Sequence, residues 1–273
     1  MQKIIDFHAH IYSDAVAARA VSGIERFYGI PDCRGNGTVE ELLALAKEHN
    51  VEAVVCHAVA TSVHQVCKIN DFVAGESAKH AEIVPFMTLH PEMTAAEITA
   101  EIERARTLGC VGLKLHPDFQ HFALDGKDCF KILERVSPDI PVLFHTGDRR
   151  YDFSHPRQMA VAAKAFPHLT MIAAHMGGYS EWSDVEVYLG TPNVKMDTSS
   201  ALKFMSPEHA VGIIRELGVE RFMFGTDYPM WSYDDELERF NRLPLSEEER
   251  NAILYGNAKS LLDKFKCARH GNN

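Results

Sequence analysis

The segment Ile4-Ile5-Asp6-Phe7-His8-Ala9-His10, close to the start of the 273-residue chain, is an apolar run that ends in two histidines. Short apolar runs rich in Val, Ile, Phe and Met predict parallel strands that are buried on both faces. Seven further runs of this kind follow, with helix-like segments between them. The eight predicted strands span residues 3–10, 52–57, 83–90, 111–116, 141–145, 170–175, 194–198 and 221–227.

Helix signals separate these runs. Residues 94–108 begin with a capping-box pattern and end before a glycine. Residues 206–217 begin Ser-Pro-Glu and also end before a glycine, and residues 38–49 and 246–266 have helical patterns as well. Strands that alternate with helices predict a parallel sheet with right-handed crossovers.

The number of repeats decides between the parallel-sheet folds. Eight repeats favour a closed barrel over an open doubly wound sheet, and no GxGxxG follows the first strand to indicate a dinucleotide site. We predict one α/β domain over residues 1–273, a (β/α)8 TIM barrel, a fold that typically takes ~250 residues. The longest irregular stretch, about 11–37, would be a loop over the catalytic face. It is interpreted as a lid or a substrate-contact loop, with an insertion of no function as the alternative.

The composition excludes several classes of partner. The formal net charge is −10 at pH 7, whereas nucleic-acid and anionic-membrane surfaces need clustered Lys and Arg. No leader of a charged and then apolar type precedes the first strand, and no apolar run reaches the ~20 residues that span a bilayer. Six scattered cysteines without a CxxC pair are typical of reduced thiols in the cytoplasm. We expect a cytoplasmic protein that acts on a small molecule.

Metal-binding residue types stand at the ends of four predicted strands. His8 and His10 share one face of the first strand, because residues i and i+2 point the same way. His145, His175 and Asp227 end the fifth, sixth and eighth strands. Since the carboxyl ends of all strands of a TIM barrel meet at one mouth, these side chains are expected to converge there.

Three or four imidazoles with one carboxylate form a recognisable donor set. It suits one divalent ion, Zn²⁺ first, with Mn²⁺, Fe²⁺ or Co²⁺ as alternatives. A catalytic ion keeps a position open for water, whose pKa falls from ~16 to near 7 on zinc. Asp227 fits the role of taking the proton of that water, and His175 fits that of orienting or deprotonating the nucleophile.

Further polar residues at strand ends have several interpretations. Lys114 and His116 share a face of the fourth strand. Lys114 inside a barrel would contact an anionic substrate, form a Schiff base or, when carbamylated, bridge a second metal ion; on the opposite face it would only reach solvent. His116 is interpreted as a substrate contact or a neighbour of the metal ligands, and His57 and His90 as residues of the pocket wall or of the rim.

Candidate substrate contacts lie in the predicted loops. Arg34 in the first loop and Arg149 and Arg150 after the fifth strand are suited to pair with a substrate carboxylate. The alternative is that they are solvated loop charges. Tyr228 and Trp231 follow the eighth strand and would form the wall around an apolar or aromatic ligand.

From Ile4 to about Phe265, the chain resembles the amidohydrolase superfamily, in particular its amidohydrolase 2 branch. That branch includes aminocarboxymuconate-semialdehyde decarboxylase-like proteins and metal-dependent hydrolases. No single motif of this chain is specific for the family, but the combination of the motifs is. The motifs are Asp6-x-His8-x-His10, Gly112-x-Lys114-x-His116-Pro117, His145-Thr146-Gly147, Ala174-His175-Met176-Gly177-Gly178, Asp197-Thr198-Ser199, Gly225-Thr226-Asp227-Tyr228-Pro229 and Tyr255-Gly256-Asn257-Ala258.

The resemblance implies that His8, His10, His145 and Asp227 bind one catalytic metal ion, usually zinc, and that His175 activates the metal-bound water. Many members of the superfamily carry a carbamylated lysine on the fourth strand and two metal ions, with His116 and His175 then available to the second. The decarboxylase-like branch typically uses one ion and lacks that lysine, so Lys114 leaves the number of ions open. Dimers are common in the resembling family.

Three functions follow as hypotheses. The first is hydrolysis of an amide, ester or lactone by metal-activated water. The second is non-oxidative decarboxylation of a small carboxylated substrate, with the same metal ligands. The third is a barrel that binds a small molecule without catalysis, which the presence of all four ligands and His175 disfavours.

Overall fold

Eight parallel strands in sequence order form the sheet of the protein. The computed structural model describes residues 2–31 and 33–270, with side chains up to residue 265. Each strand pairs in parallel with the next one along the chain. The strands are β1 (Ile4–His10), β2 (Val51–His57), β3 (Ile83–Thr88), β4 (Gly112–Leu115), β5 (Val142–Phe144), β6 (Met171–Ala173), β7 (Val194–Asp197) and β8 (Phe222–Met223).

The sheet closes between β1 and the segment that follows β8. The backbone N–H of Phe7 donates to the carbonyl of Phe224 at 2.8 Å, and the N–H of Asp227 donates to the carbonyl of His8 at 2.8 Å. The predicted TIM barrel is confirmed, and its closing seam brings Asp227 beside the end of β1.

Helices follow the strands and cover the outside of the sheet. Thr94 and Glu97 form the predicted capping box at the start of the fourth helix. The helices are α1 (Asp14–Tyr28), α2 (Val39–Glu48), α3 (Val66–Lys79), α4 (Ala95–Thr107), α5 (Pro117–Gln120), α6 (Lys127–Leu133), α7 (Pro156–Ala165), α8 (Pro207–Leu217), α9 (Tyr233–Asn241), α10 (Glu247–Asn251) and α11 (Asn257–His270).

The stretch predicted as an irregular loop over residues 11–37 contains the helix α1, so that part of the prediction is wrong. The helix begins after Ser13 and ends at Gly29, whose φ of 65° lies in the left-handed region that glycine adopts readily. Val16, Ala20 and Ile24 recur at helical spacing within it. The residues typical of turns are confined to positions 29–37, and the helical spacing before them indicates the helix.

Several strands end earlier than predicted, because the backbone turns sharply before the polar residues. β6 ends at Ala173 and β8 at Met223. His175 has a φ of 59° and Asp227 a φ of 60°. Such left-handed conformations are uncommon for residues other than glycine and cluster at functional sites. His175 and Asp227 therefore lie on turns at the barrel mouth.

The hydrophobic core consists of two clusters of buried residues, one outside and one inside the barrel. The larger cluster packs the outer face of the strands against the helices. The smaller one joins alternate strand residues, such as Phe7 and Phe86 with ring centroids 5.9 Å apart, to Phe265 of α11. Apolar side chains thus fill part of the barrel and leave the polar residues grouped together. Among the described helices, none combines the length and the apolar character needed to cross a bilayer.

Candidate active site

A carboxylate fixes the imidazole of His8. Nδ1 of His8 lies 2.9 Å from Oδ2 of Asp197 at the end of β7, and both side chains are buried. Burial raises the pKa of Asp197, but its contact with His8 outweighs this and holds that pKa below its ordinary value. The carboxylate only accepts hydrogen bonds, so the ring proton of His8 is on Nδ1 and Nε2 presents a lone pair.

Nε2 of His8 also lies close to the carboxylate of Asp227. Nε2 of His8 lies 3.5 Å from Oδ1 of Asp227, and Nε2 of His10 lies 3.3 Å from the same oxygen. The hydroxyl of Ser200 donates to the other carboxylate oxygen at 2.5 Å. Nδ1 of His10 has no hydrogen-bond partner among the described residues. One carboxylate oxygen thus stands between two imidazole nitrogens.

His145 and His175 face one another across the mouth. Nε2 of His145 lies 2.8 Å from the carbonyl of Gly147, which only accepts, so Nδ1 presents the lone pair. Nδ1 of His175 lies 3.0 Å from both the carbonyl and the hydroxyl of Ser199, so the ring proton of His175 can sit on either nitrogen. Nε2 of His175 lies 2.9 Å from Nδ1 of His145, where an N–H of His175 or a metal ion satisfies the lone pair of His145.

The donor set fits a divalent metal ion. Two donors that each bind an ion at ~2.1 Å lie about 3.0–3.4 Å apart, close to the separations found here. Burial lowers the pKa of His8 to about 4 and holds that of His145 well below its ordinary value, so both rings are neutral, as a metal ligand must be. His8 and His10 meet at Asp227 while His145 meets His175, and His8, His10, His145 and Asp227 stay the predicted ligands of the ion.

Lys114 lies inside the barrel beside this set. It is fully buried, and its Nζ lies 3.1 Å from Nε2 of His8. Burial lowers its pKa to about 8, although Asp197 and Asp227 oppose the shift. The alternative that Lys114 reaches solvent is therefore wrong. Its ammonium group stands where an anionic group of a ligand would be attracted.

His116 and a tyrosine complete the polar rim. The rings of His116 and His145 stack with centroids 4.0 Å apart at an angle of 7°. The hydroxyl of Tyr28, from the last turn of α1, lies 2.9 Å from Nε2 of His116. Burial holds the pKa of this tyrosine well above its ordinary value, so the phenol keeps its proton.

A cavity of about 660 Å³ opens above these side chains. The predicted metal ligands and Lys114 form its floor. Its walls come from α1 and α3 and are mainly apolar, with the charged side chains of Arg19 and Lys68 among them. The apolar lining residues of these helices include Val16, Ala20, Ile24, Ile69 and Phe72. The space is of the size that binds one small organic molecule.

The three arginines predicted to bind a substrate lie outside this cavity, which corrects that prediction. Arg34 pairs with Asp235 and is half exposed. Arg149 donates to the carbonyl of Ser180 at 2.6 Å. Arg150 pairs with Asp148. Each guanidinium is bound by a nearby acceptor, and none of the three lines the cavity.

The aromatic wall residues predicted after β8 are also corrected. The hydroxyl of Tyr228 donates to Glu41 at 2.6 Å, behind the barrel rim. The indole N–H of Trp231 donates to Ser200 at 2.9 Å. Met230, between them in sequence, is the residue that lines the cavity.

His57 and His90 do not form the cavity wall either. His57 lies behind His8 and His10, with ring centroids 4.9 and 4.4 Å away, and neither of its ring nitrogens has a hydrogen-bond partner in the described chain. Nδ1 of His90 accepts the N–H of Glu92 in the turn after β3.

Several residues of the site were not predicted as functional. Asp197 and Ser199 belong to a motif that was noted, and the position of Asp197 at a strand end was the available signal. Tyr28 and Arg19 line the cavity from α1. Tyr28 continues the four-residue spacing of Val16, Ala20 and Ile24, and this pattern would have placed it on the face that lines the cavity.

Sequence comparisons relate the chain to known proteins. A sequence model described as Amidohydrolase matches residues 5–264. The gamma-resorcylate decarboxylase of Rhodococcus jostii is 25% identical in a match that covers 83% of this chain and 87% of that protein.

Solved structures share the fold over nearly the whole chain. An uncharacterised TIM-barrel protein from Bordetella bronchiseptica superposes with a TM-score of 0.79 at 21% identity, covering 97% of this chain and 99% of that one. A dihydroxybenzoic acid decarboxylase from a Polaromonas strain, with bound manganese and the inhibitor 2-nitroresorcinol, superposes with a TM-score of 0.69 at 19% identity, covering 96% and 97%.

The fold, the site and the family match all assign the protein to one class. It is a TIM-barrel enzyme with imidazole and carboxylate groups at the carboxyl ends of its strands. The chain belongs to the amidohydrolase family. The resemblance stated from the sequence motifs is thereby confirmed.

Proposed function

We propose that the protein is a metal-dependent decarboxylase of a small aromatic carboxylic acid. The observation that carries the proposal is the cavity, which combines a cationic and imidazole-rich floor with apolar walls. The carboxylate of an aromatic acid would bind at the cationic floor, and its ring would pack between the apolar walls formed by α1 and α3. The names of the relatives support this hypothesis better than hydrolysis, which came first from the sequence alone.

A divalent ion held by His8, His10, His145 and Asp227 would supply Lewis-acid chemistry, binding and orienting anionic oxygens of the substrate. Manganese becomes a leading choice beside zinc, because a relative of the same fold contains it. Imidazole and carboxylate donors suit both ions. Lys114 adds a second positive charge at the floor.

The reaction needs one proton and releases one molecule of carbon dioxide. The bond between the ring carbon and the carboxylate breaks, its electron pair stays on the ring carbon, and a proton takes the vacated position. We assign delivery of that proton to His175, which lines the cavity and takes a replacement proton from solvent. Asp227 stays an ion-binding carboxylate, because its contacts with His8 and His10 outweigh burial and hold its pKa well below the ordinary value. The apolar walls keep water from the ring and disfavour the competing attack of water on the substrate.

The experiment compares the two reaction classes on one preparation. Protein loaded with Mn²⁺ or Zn²⁺ is incubated with hydroxylated benzoates and, separately, with lactones, esters and amides. In D₂O the proposal predicts carbon dioxide release and one deuterium at the vacated ring carbon, read by NMR, with Asp227→Asn as the inactive control. Turnover of lactones, esters or amides, with no carbon dioxide from any aromatic acid, would overturn it in favour of the hydrolase.

A further inference from the structure

Tyr28 brings a phenol to the site from outside the barrel strands. Its Oη lies 2.9 Å from Nε2 of His116, and the ring of His116 stacks on that of His145. Tyr28 also lines the cavity. A hydroxyl carried by α1 therefore stands beside a proposed metal ligand.

The hydrogen bonds of His116 determine what this hydroxyl does. Nδ1 of His116 accepts the backbone N–H of Phe119 at 3.3 Å. A neutral imidazole carries a single N–H, so the ring proton is on Nε2 and is donated to the oxygen of Tyr28. Tyr28 accepts in this contact, and its own hydrogen is not used there.

The second neighbour does not take that hydrogen. Nδ1 of His145 lies 3.5 Å from the hydroxyl, at the outer limit of a hydrogen bond. The same lone pair faces Nε2 of His175 at 2.9 Å. Among the described residues, the hydroxyl hydrogen of Tyr28 has no short acceptor and is left for a group in the cavity.

Packing holds the ring of Tyr28 in place. Phe27 and Tyr179 contact it with centroids 4.9 and 5.7 Å away, and the guanidinium of Arg150 lies 5.3 Å from its centroid. Asp148 in turn pairs with Arg150. A donor whose position is fixed before binding loses little entropy on binding.

We propose that the hydroxyl of Tyr28 donates a hydrogen bond to an anionic oxygen of the substrate, a carboxylate or phenolate oxygen beside His145. Tyr28 is then a substrate-contacting residue that selects for aromatic acids with an oxygen in this position. The inference rests on the proposed function, because it requires such a substrate in the cavity.

The test measures ligand binding, because a change in reaction rate would not show whether Tyr28 contacts the substrate or only positions neighbouring residues. Wild-type, Tyr28→Phe and Tyr151→Phe proteins are loaded with Mn²⁺, and their metal content is measured. The dissociation constant of 2-nitroresorcinol, which has no carboxylate to lose, is determined by calorimetry. Tyr151 is the matched control, because it stacks on Phe27 in the same aromatic group but does not line the cavity.

We expect Tyr28→Phe to weaken the binding of 2-nitroresorcinol about tenfold or more, with metal content unchanged and Tyr151→Phe equal to wild type. Equal binding by wild type and Tyr28→Phe, with normal binding of the metal, would overturn the inference and leave the proposed function standing. Absence of binding to the metal-loaded wild type would overturn both.

Discussion

Nδ1 of His8 and Oδ2 of Asp197 are 2.9 Å apart, so a carboxylate from β7 determines which nitrogen of a β1 histidine is available to a metal ion. The other oxygen of Asp197 accepts the backbone N–H groups of His175 and Ser199, each at 3.1 Å. One buried side chain therefore aligns three strand ends.

Asp197→Asn should reduce the affinity for the metal ion by about 10–100-fold, because an amide cannot accept at both positions. The measurement is competition with a chelator of known affinity. Glu101→Gln is the control, since Glu101 is also a buried carboxylate that accepts hydrogen bonds, but between α3 and α4. Equal affinity in Asp197→Asn and wild type would contradict the role.

Variants of His175 and Asp227 should show which residue is needed to bind the metal ion and which is needed for the chemical step. Asp227→Asn is expected to lower metal content and abolish turnover, because its Oδ1 lies 3.3 Å from His10 and 3.5 Å from His8. His175→Asn should retain the metal while slowing the chemical step by about 100-fold or more. Metal content by mass spectrometry and single-turnover rates check both. Loss of the ion from His175→Asn would instead make His175 a ligand.

The stability that His8 contributes should depend on pH. Burial, with a smaller effect of Lys114, lowers the pKa of His8 to about 4, whereas a histidine in an unfolded chain titrates near ~6.5. Between these values only the unfolded chain binds the proton, so the contribution of His8 to the free energy of unfolding falls as the pH falls.

The comparison of wild type with His8→Asn isolates this effect. In metal-free protein, the stability of wild type relative to the variant should fall by about 1–2 kcal/mol between pH 7.5 and pH 5. Urea unfolding at both pH values measures it, with the exposed His64→Asn as control. A relative stability that does not change with pH would count against a buried neutral imidazole.

Gly23 should limit the size of the ligand. It lines the cavity from α1, and a Cβ at this position would meet no atom within 4 Å. Gly23→Leu should raise KM for bulky substrates several-fold without changing metal content, because its side chain would occupy the free space. Gly212→Leu in α8, also without a neighbour within 4 Å, is the control; both changes should stabilise their helices by about 1 kcal/mol. Identical KM values for the two variants would oppose the assignment.

The strands and the donor residues at their ends were predictable from sequence. Buried parallel strands are continuous apolar runs, and the polar residue that interrupts each run marks its carboxyl end. His8, His145 and Asp227 were found in this way. Their convergence is a property of the barrel and needed no knowledge of individual contacts.

Contacts made by loops and helices outside the barrel were not predictable in the same way. Arg150 looked like a substrate contact, but Asp148 and the rings of α1 bind it. Tyr28 reaches His116 only because α1 folds over the mouth, 88 positions away in sequence. Pairings of this kind depend on the three-dimensional path of a segment and leave no periodic signal.

The position of α1 in the chain has an evolutionary consequence. The 15-residue helix follows directly after the strand that carries His8 and His10, and it precedes the first helix of the regular barrel repeat. Replacement of this one segment would alter which molecules are admitted while leaving the ion-binding groups untouched. Diversification of such enzymes toward new substrates would then proceed by exchange of a short insert and not by rebuilding the catalytic rim.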